Sequence, residues 1–81
     1  MRAARLSSSV IRKIAYDDER EALSIWFAET GRYIYHGVPG AVFDALRKAP
    51  SAGRYFNECI KRRYRCEPDP ERRRYRPPWN G

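Results

Sequence analysis

Three consecutive stretches have the hydrophobic patterns typical of β-strands, and the second of them alternates strictly between two faces. The first stretch, SVIRKIAYD, is rich in β-branched and aromatic residues and ends at the acidic turn DDER. The second is EALSIWFAE, and the third is RYIYHGV, which follows a Thr-Gly turn. We therefore predict three antiparallel strands over residues 9–17, 21–29 and 32–38.

The turn between the second and third strands decides which side chains share a face. A three-residue loop, Glu29–Gly31, with its glycine in the left-handed conformation, would pair Phe27 with Tyr33 and Ile25 with Tyr35. A two-residue loop would turn both tyrosines outward, where they would resemble rings that stack on nucleic-acid bases. We favour the three-residue loop because it collects the larger aromatic rings on one side, which makes both tyrosines core residues.

The same register places a second set of residues on the opposite sheet face. Trp26 would meet Ile34 there, with Arg32 and His36 nearby. An exposed apolar patch of this kind indicates a partner surface. It is a candidate homodimer interface or a stacking platform for RNA bases, and isoleucine stacks poorly, which favours the dimer.

Helical spacing replaces alternation after Pro39. The stretch PGAVFDALRKA predicts a first helix, and Ser51 is a suitable N-cap for a second helix that ends near Tyr64. On a helical wheel the apolar side of the second helix carries Tyr55, Phe56, Cys59, Ile60 and Tyr64. Its far side is basic and carries Arg54, Lys61, Arg62 and Arg65.

These elements predict an α+β fold, in which a three-stranded antiparallel β-meander is followed by two helices packed on one face (βββαα). With 81 residues the chain has room for one core. We predict a flexible basic N-terminus over residues 1–7, the folded domain over 8–66, and a disordered Arg/Pro-rich tail over 67–81, which contains the run RRRYRPP.

The charge is uneven along the chain, with a net value of +7. Acidic residues concentrate in 17–31, whereas residues 32–66 are strongly basic. A basic surface favours polyanions through counterion release, although arginines also serve solubility. The candidate nucleic-acid-binding residues are Arg47, Lys48, Arg54, Lys61, Arg62, Arg65, Arg72, Arg73, Arg74 and Arg76.

The segment PSAGRYFN offers two interpretations. Backbone N–H groups at a helix start, with Ser51, Gly53 and Arg54, could hold a phosphate. Arg47 and Lys48 would approach it from the end of the preceding helix. The alternative is a capped turn between two helices, in which the glycine allows close packing. We favour the capped turn.

Other classes of function lack a signal. His36 is the only histidine and Ser24, its predicted neighbour, has no third catalytic partner, so we expect no enzyme, no cofactor and no small-molecule substrate. Cys59 and Cys66 lack the paired spacing of a metal site. There is no signal-peptide pattern and no apolar stretch long enough to span a membrane, so we expect a cytoplasmic protein with reduced thiols.

Several motifs together resemble the KTSC domain, a short module named for its place at the C-terminus of some lysyl-tRNA synthetases. They are GRYIYHGVP, with its Tyr-x-Tyr and Val-Pro, and SAGRYFN, and the resemblance covers about residues 8–64. Ala15 departs from it, because glycine is expected there. The resemblance implies no catalytic residue, metal or cofactor, and its synthetase context implies RNA by analogy.

We therefore expect a small, non-catalytic nucleic-acid-binding module, with RNA favoured and tRNA as one candidate. It would use the basic helix face and the Arg-rich tail. The alternative is a homodimeric protein-interaction module that uses the Trp26/Ile34 face.

Overall fold

The computed structural model describes residues 2–68, which form one antiparallel sheet and two helices. The strands are β1 (Arg2–Arg5), β2 (Ile11–Asp17), β3 (Ala22–Phe27), β4 (Gly31–His36) and β5 (Arg65–Pro68), and the helices α1 (Gly40–Lys48) and α2 (Ala52–Cys59) lie between β4 and β5 in the chain. The sheet order is β1-β2-β3-β4-β5. The predicted α+β class, with an antiparallel sheet and two helices, is confirmed, but three strands were too few.

Strand β1 occupies a segment that the sequence predicted to be flexible. It pairs with β2, with Arg2 opposite Tyr16. The Arg2 guanidinium lies 2.9 Å from the Asp18 carboxylate and 3.6 Å from that of Asp44. It also lies over the rings of Tyr16 and Phe43, at 5.4 and 5.1 Å from their centres. These contacts anchor a strand whose own sequence, RAAR, has little strand propensity.

Helix α2 is shorter than predicted, and the chain that follows it forms the edge strand β5. The N–H of Lys61 donates to the carbonyl of Phe56 at 2.9 Å, a bond typical of helix C-termini, and the N–H of Arg63 donates to the carbonyl of Ile60 at 3.0 Å. Ile60 is fully buried at this turn. The turn lets Arg65–Pro68 pair with β4, so the chain gains sheet hydrogen bonds in place of another helical turn.

The β3–β4 register differs from the prediction by two residues. Phe27 pairs with Gly31, Ile25 with Tyr33 and Leu23 with Tyr35. The loop is therefore residues 28–30, and Gly31, with φ of 87°, begins β4. A shift of two residues preserves the face of every side chain. The predicted faces are thus confirmed although the predicted pairs were wrong.

The core lies between one sheet face and the two helices. Its fully buried side chains include Ile11, Ile14, Leu23, Ile25, Val38, Phe43, Leu46 and Ile60. Tyr35 and Phe56 join it, with ring centres 5.5 Å apart in an edge-to-face arrangement. Tyr16 donates a 2.6 Å hydrogen bond to the carbonyl oxygen of Val38, which ties β2 to the segment that leads into α1.

Candidate nucleic-acid interface

The sheet face opposite the core is covered by no helix within residues 2–68, and we call it the open face. In β3 and β4 it carries the residues that alternate with the core positions, including Trp26, Arg32, Ile34 and His36. The structure thus brings together on one face the four residues that the sequence predicted as a partner surface.

A basic–aromatic row crosses four strands on the open face. Arg5 pairs with Lys13, Lys13 with Trp26, and Trp26 with Arg32. The Lys13 ammonium lies 4.8 Å from the centre of the Trp26 ring, and the Arg32 guanidinium carbon lies 5.1 Å from it. Both are distances at which a cation is attracted to an aromatic face. The two cations come from the strands on either side of β3 and hold the indole between them.

A row of small or apolar residues lies next to the basic–aromatic row. Ala3 pairs with Ala15, Ala15 with Ser24 and Ser24 with Ile34. Three of these four side chains are small, so this row leaves a shallow shelf beside the taller indole of Trp26. Ala15 is the position where the family resemblance predicted glycine, and β2 runs through it in regular pairing.

The far end of the open face has mixed charge. His36 pairs with Arg65 across β4 and β5, and the His36 Nε2 lies 3.0 Å from Glu67 Oε1. Asp17 lies at the same end, opposite Ala22. Among residues 2–68, Arg5 and Lys13, toward the other end of this face, have no ion-pair partner.

Trp26 and Ile34 do not form the exposed apolar patch on which the dimer prediction depended. Both are half-buried, and Val10, at 51% exposure, is the exposed large hydrophobic residue among those described. The Lys13 and Arg32 cations lie 4.8 and 5.1 Å from the centre of the Trp26 ring. This geometry weakens the argument for a dimer, and dimerisation itself stays a prediction.

The predicted basic helix face is divided among three elements, which corrects that prediction. Arg54 lies on α2 and pairs with Glu58 at 3.1 Å, one helical turn away. Lys61 and Arg62 lie in the turn after α2, and Arg65 lies on β5. The wheel failed because α2 ends at Cys59, so the residues beyond it no longer repeat at helical spacing.

Three consecutive exposed cations occupy the turn after α2, and we call Lys61–Arg63 the basic turn. None of the three has an ion-pair partner among residues 2–68. Arg65 follows two residues later and faces the same side as His36, so the basic turn leads into the far end of the open face.

The corner before α2 has the geometry of a capped turn. The N–H of Arg54 donates to Ser51 Oγ at 3.4 Å. A Cβ added to Gly53 would lie 3.7 Å from Val10, which is ordinary packing. A groove of about 500 Å³ beside it is lined by residues that include Ser7, Ser51 and Arg47. Phosphate binding here stays a prediction.

Arg47 and Lys48 lie in the last turn of α1, where basic side chains suit the helix dipole. Arg47 also lies 3.6 Å from the Asp44 carboxylate. The predicted binding residues Arg72, Arg73, Arg74 and Arg76 lie outside the described residues.

The two tyrosines of GRYIYHGVP face the core, as predicted. Tyr35 is 4% exposed, and Tyr33 is half-buried against the core. Burial raises the pKa of Tyr35 above its ordinary value, and contact with the Cys66 thiol raises it further. These rings are therefore part of the core that supports the open face.

The described region offers neither a metal-binding cluster nor a membrane-spanning helix. Residues 2–68 contain no group of three or more His, Cys, Asp or Glu side chains placed to hold a metal ion. No helix in the described part of the chain is long and apolar enough to cross a membrane.

Comparison with known proteins explains the motifs and the fold together. The family model of the KTSC domain matches residues 7–64. The chain belongs to the KTSC domain family. The predicted resemblance is thereby confirmed. A KTSC domain protein from Yersinia pestis has a crystal structure similar to this one, with a TM-score of 0.81, 37% identity, and coverage of 84% of this chain and 96% of that chain.

Relatives of this KTSC domain occur in two settings. An uncharacterized protein of Stutzerimonas stutzeri is 39% identical over 61 residues, which cover 75% of this chain and 86% of the relative. A lysine–tRNA ligase of Nostoc punctiforme is 37% identical over 59 residues, which cover 73% of this chain and 10% of the ligase. The domain therefore resembles both a small protein and a segment of a large enzyme.

Sequence reasoning missed Arg5 and Lys13 as members of this KTSC domain's candidate interface. Successive residues of a strand point to opposite faces, so Lys13 lies on the face opposite Ile14. The face of Lys13 could therefore have been predicted from the sequence. Its position beside Trp26 also required the β2–β3 register, in which an irregularity between Ile11 and Lys13 shifts the pairing. Arg5 required the strand β1 that was not predicted.

Proposed function

We propose that this KTSC domain is a non-catalytic nucleic-acid-binding module, with RNA favoured over DNA. The observation that carries the proposal is the basic turn, in which three exposed cations have no acidic partner in the described structure. Cations so placed neutralise phosphates without reading base sequence.

The position of the basic turn strengthens the proposal. It leads into Arg65 at the mixed-charge end of the open face, and Lys13 and Arg32 lie toward the other end of the same face. In contrast, two of the three basic residues on the helices lie beside acids, Arg54 beside Glu58 and Arg47 beside Asp44, whereas Lys48 has no ion-pair partner in the described structure. The strongest attraction for a polyanion is therefore expected at the turn and the open face, with the helices contributing less.

The preference for RNA rests on the relatives. One relative is a lysine–tRNA ligase that contains a segment similar to this domain. A domain of this kind in an enzyme named for tRNA fits a role in holding RNA, and we extend that role to this basic chain by analogy.

The test is a mobility-shift titration of the full chain against tRNA, single-stranded RNA and DNA of equal length at low salt. We expect binding of RNA by the wild type and strongly reduced binding when Lys61, Arg62 and Arg65 are all changed to Glu. The matched control is Arg20→Glu, in the acidic β2–β3 turn, which should bind as the wild type does. Absence of binding at low salt, or equal binding by the triple variant, would contradict the proposal.

A further inference from the structure

We propose that the open face binds unpaired nucleotides, with Trp26 stacking on a base and Lys13 and Arg32 holding the adjacent phosphates. The inference deepens the proposed function and rests on it, because it names single-stranded segments as the ligand and assigns the site. It gives the open face an occupant other than a second copy of the chain.

The first argument is the arrangement of ring and cations. Lys13 and Arg32 lie 4.8 and 5.1 Å from the Trp26 ring centre, on strands either side of it. Long, flexible basic side chains can exchange a contact with a ring for a contact with a phosphate. A strand of nucleic acid offers phosphates to the two cations and a base to the ring. When the cations move to the phosphates, the base can stack on the indole in their place.

The second argument is the shape of the surface beside the indole. Ala3, Ala15 and Ser24 form a shelf of small side chains next to the basic–aromatic row. A planar base stacked on Trp26 could extend over this shelf without displacing a large side chain. Ile34 closes the shelf on β4 and offers an apolar contact to the same base.

The third argument is charge complementarity. Arg5, Lys13 and Arg32 lie in one row, whereas Asp17 lies toward the opposite end. Glu67 pairs with Ile34 in the adjacent row, and its carboxylate lies 3.0 Å from His36 Nε2. Neighbouring strands are about 4.8 Å apart, so the row from β1 to β4 spans about 14 Å. A row of this length can contact several phosphates of one strand.

The open face suits unpaired nucleotides better than a duplex. The major groove of an RNA helix is deep and narrow, and its bases are stacked inside the helix. A broad sheet face with one central indole can reach a base only where that base is already unstacked. Sheets that carry aromatic rings bind single-stranded RNA in this way.

The test uses the variant Trp79→Phe, in which Trp26 is the only tryptophan, so that the fluorescence reports on Trp26. Titration with a 12-nucleotide single-stranded RNA should quench Trp26, and the same RNA annealed to its complement should quench it less. Trp26→Ala should weaken binding of the single strand about 5- to 100-fold, the range expected for loss of one stacked base. Trp26→Phe, which keeps a ring, should retain most of the affinity.

Lys13→Gln provides a second test that keeps Trp26 in place, and Arg20→Gln, in the exposed β2–β3 turn, is its matched control. We expect weaker binding and weaker quenching for Lys13→Gln only, with both variants folded by circular dichroism. If RNA binds but Trp26→Ala and Lys13→Gln bind like the wild type, the open-face site is wrong while the proposed function stands. If no variant and no wild type binds RNA, the proposed function itself fails.

Sedimentation of the protein without RNA tests whether a second copy of the chain occupies the open face instead. A dimer that becomes monomeric in Trp26→Glu would show that the open face binds a second copy, which would contradict our assignment. A monomer in both proteins, together with quenching by single-stranded RNA, is the result that we expect.

Discussion

The Lys13 ammonium lies 4.8 Å from the centre of the Trp26 ring, because the β2–β3 register places these residues opposite each other. An exposed contact of this kind stabilises a fold by about 0.5–1 kcal/mol. We expect Lys13→Gln to lower the free energy of unfolding by about that amount, measured by urea denaturation. Arg12→Gln, at the exposed neighbouring position, should change it by less than about 0.5 kcal/mol. Equal effects would show that the contact with the indole contributes nothing.

Arg2 provides a test of strand β1. Its guanidinium contacts two partly exposed carboxylates and lies over the buried rings of Tyr16 and Phe43. Solvent screening reduces the value of each contact, so we expect Arg2→Ala to cost about 1 kcal/mol in total. Arg5→Ala, in the same strand but without these contacts, should cost less than half as much. Thermal unfolding of both variants measures the difference, and equal midpoints would contradict the anchoring role of Arg2.

The sequence predicted neither strand β1 nor strand β5. The three central strands are evident from alternation or from β-branched and aromatic content, and Ser51 is evident as an N-cap. The segments RAAR and RCEP carry no such pattern, because their pairing depends on contacts distant in sequence. Arg2 in β1 contacts Asp44 and Phe43 of α1. Strand β5 pairs with the free edge of β4, and that edge exists only once the sheet has formed.

The sequence also predicted only part of the candidate site. The open face of β3 and β4 followed from alternation, and so did the burial of Tyr33 and Tyr35. The partner of Trp26 did not follow, because a register shift of two residues keeps the faces but replaces Ile34 with Arg32. That exchange turns an apolar pair into a cation–aromatic contact, and it changes the ligand that the surface favours.

Gly37 and Gly53 test two different roles of glycine. Gly37 has φ of 71°, and a Cβ there would meet no atom within 4 Å, so its substitution carries conformational strain alone. We expect Gly37→Ala to cost about 1–2 kcal/mol, since other residues rarely adopt this conformation. Gly53→Ala on α2 should be neutral or stabilising by up to about 1 kcal/mol, because alanine favours helices. Urea denaturation measures both changes. A Gly37→Ala variant as stable as the wild type would contradict the predicted strain.

The raised pKa of Tyr16 makes the stability of the fold depend on pH in alkaline solution. Burial, and then the nearby Glu21 and Asp18 carboxylates, raise the pKa of Tyr16, whose hydroxyl donates to Val38. A raised pKa in the folded state means that stability is fully present below about pH 10, the unfolded value, and falls as the pH rises above it. We expect the free energy of unfolding to fall above that pH, by up to about 1.4 kcal/mol per pH unit for each such tyrosine.

The variant Tyr16→Phe isolates this contribution. It should be less stable at pH 7 by about 1–2 kcal/mol, through loss of the hydrogen bond to Val38. Its stability should also decline less steeply above pH 10 than that of the wild type. Unfolding curves at several alkaline pH values measure both effects, and parallel curves for the two proteins would exclude a role for Tyr16 in the alkaline transition.

The most direct test of nucleic-acid binding is the salt dependence of affinity for single-stranded RNA. Each phosphate contact with a single strand contributes about −0.7 to the slope of log K against log salt. We predict a steep negative slope for the wild type and a slope shallower by about 2 when Lys61, Arg62 and Arg65 are all changed to Gln. The control Arg20→Gln should keep the wild-type slope. Identical slopes for wild type and triple variant, or an affinity that does not fall with salt, would contradict the account.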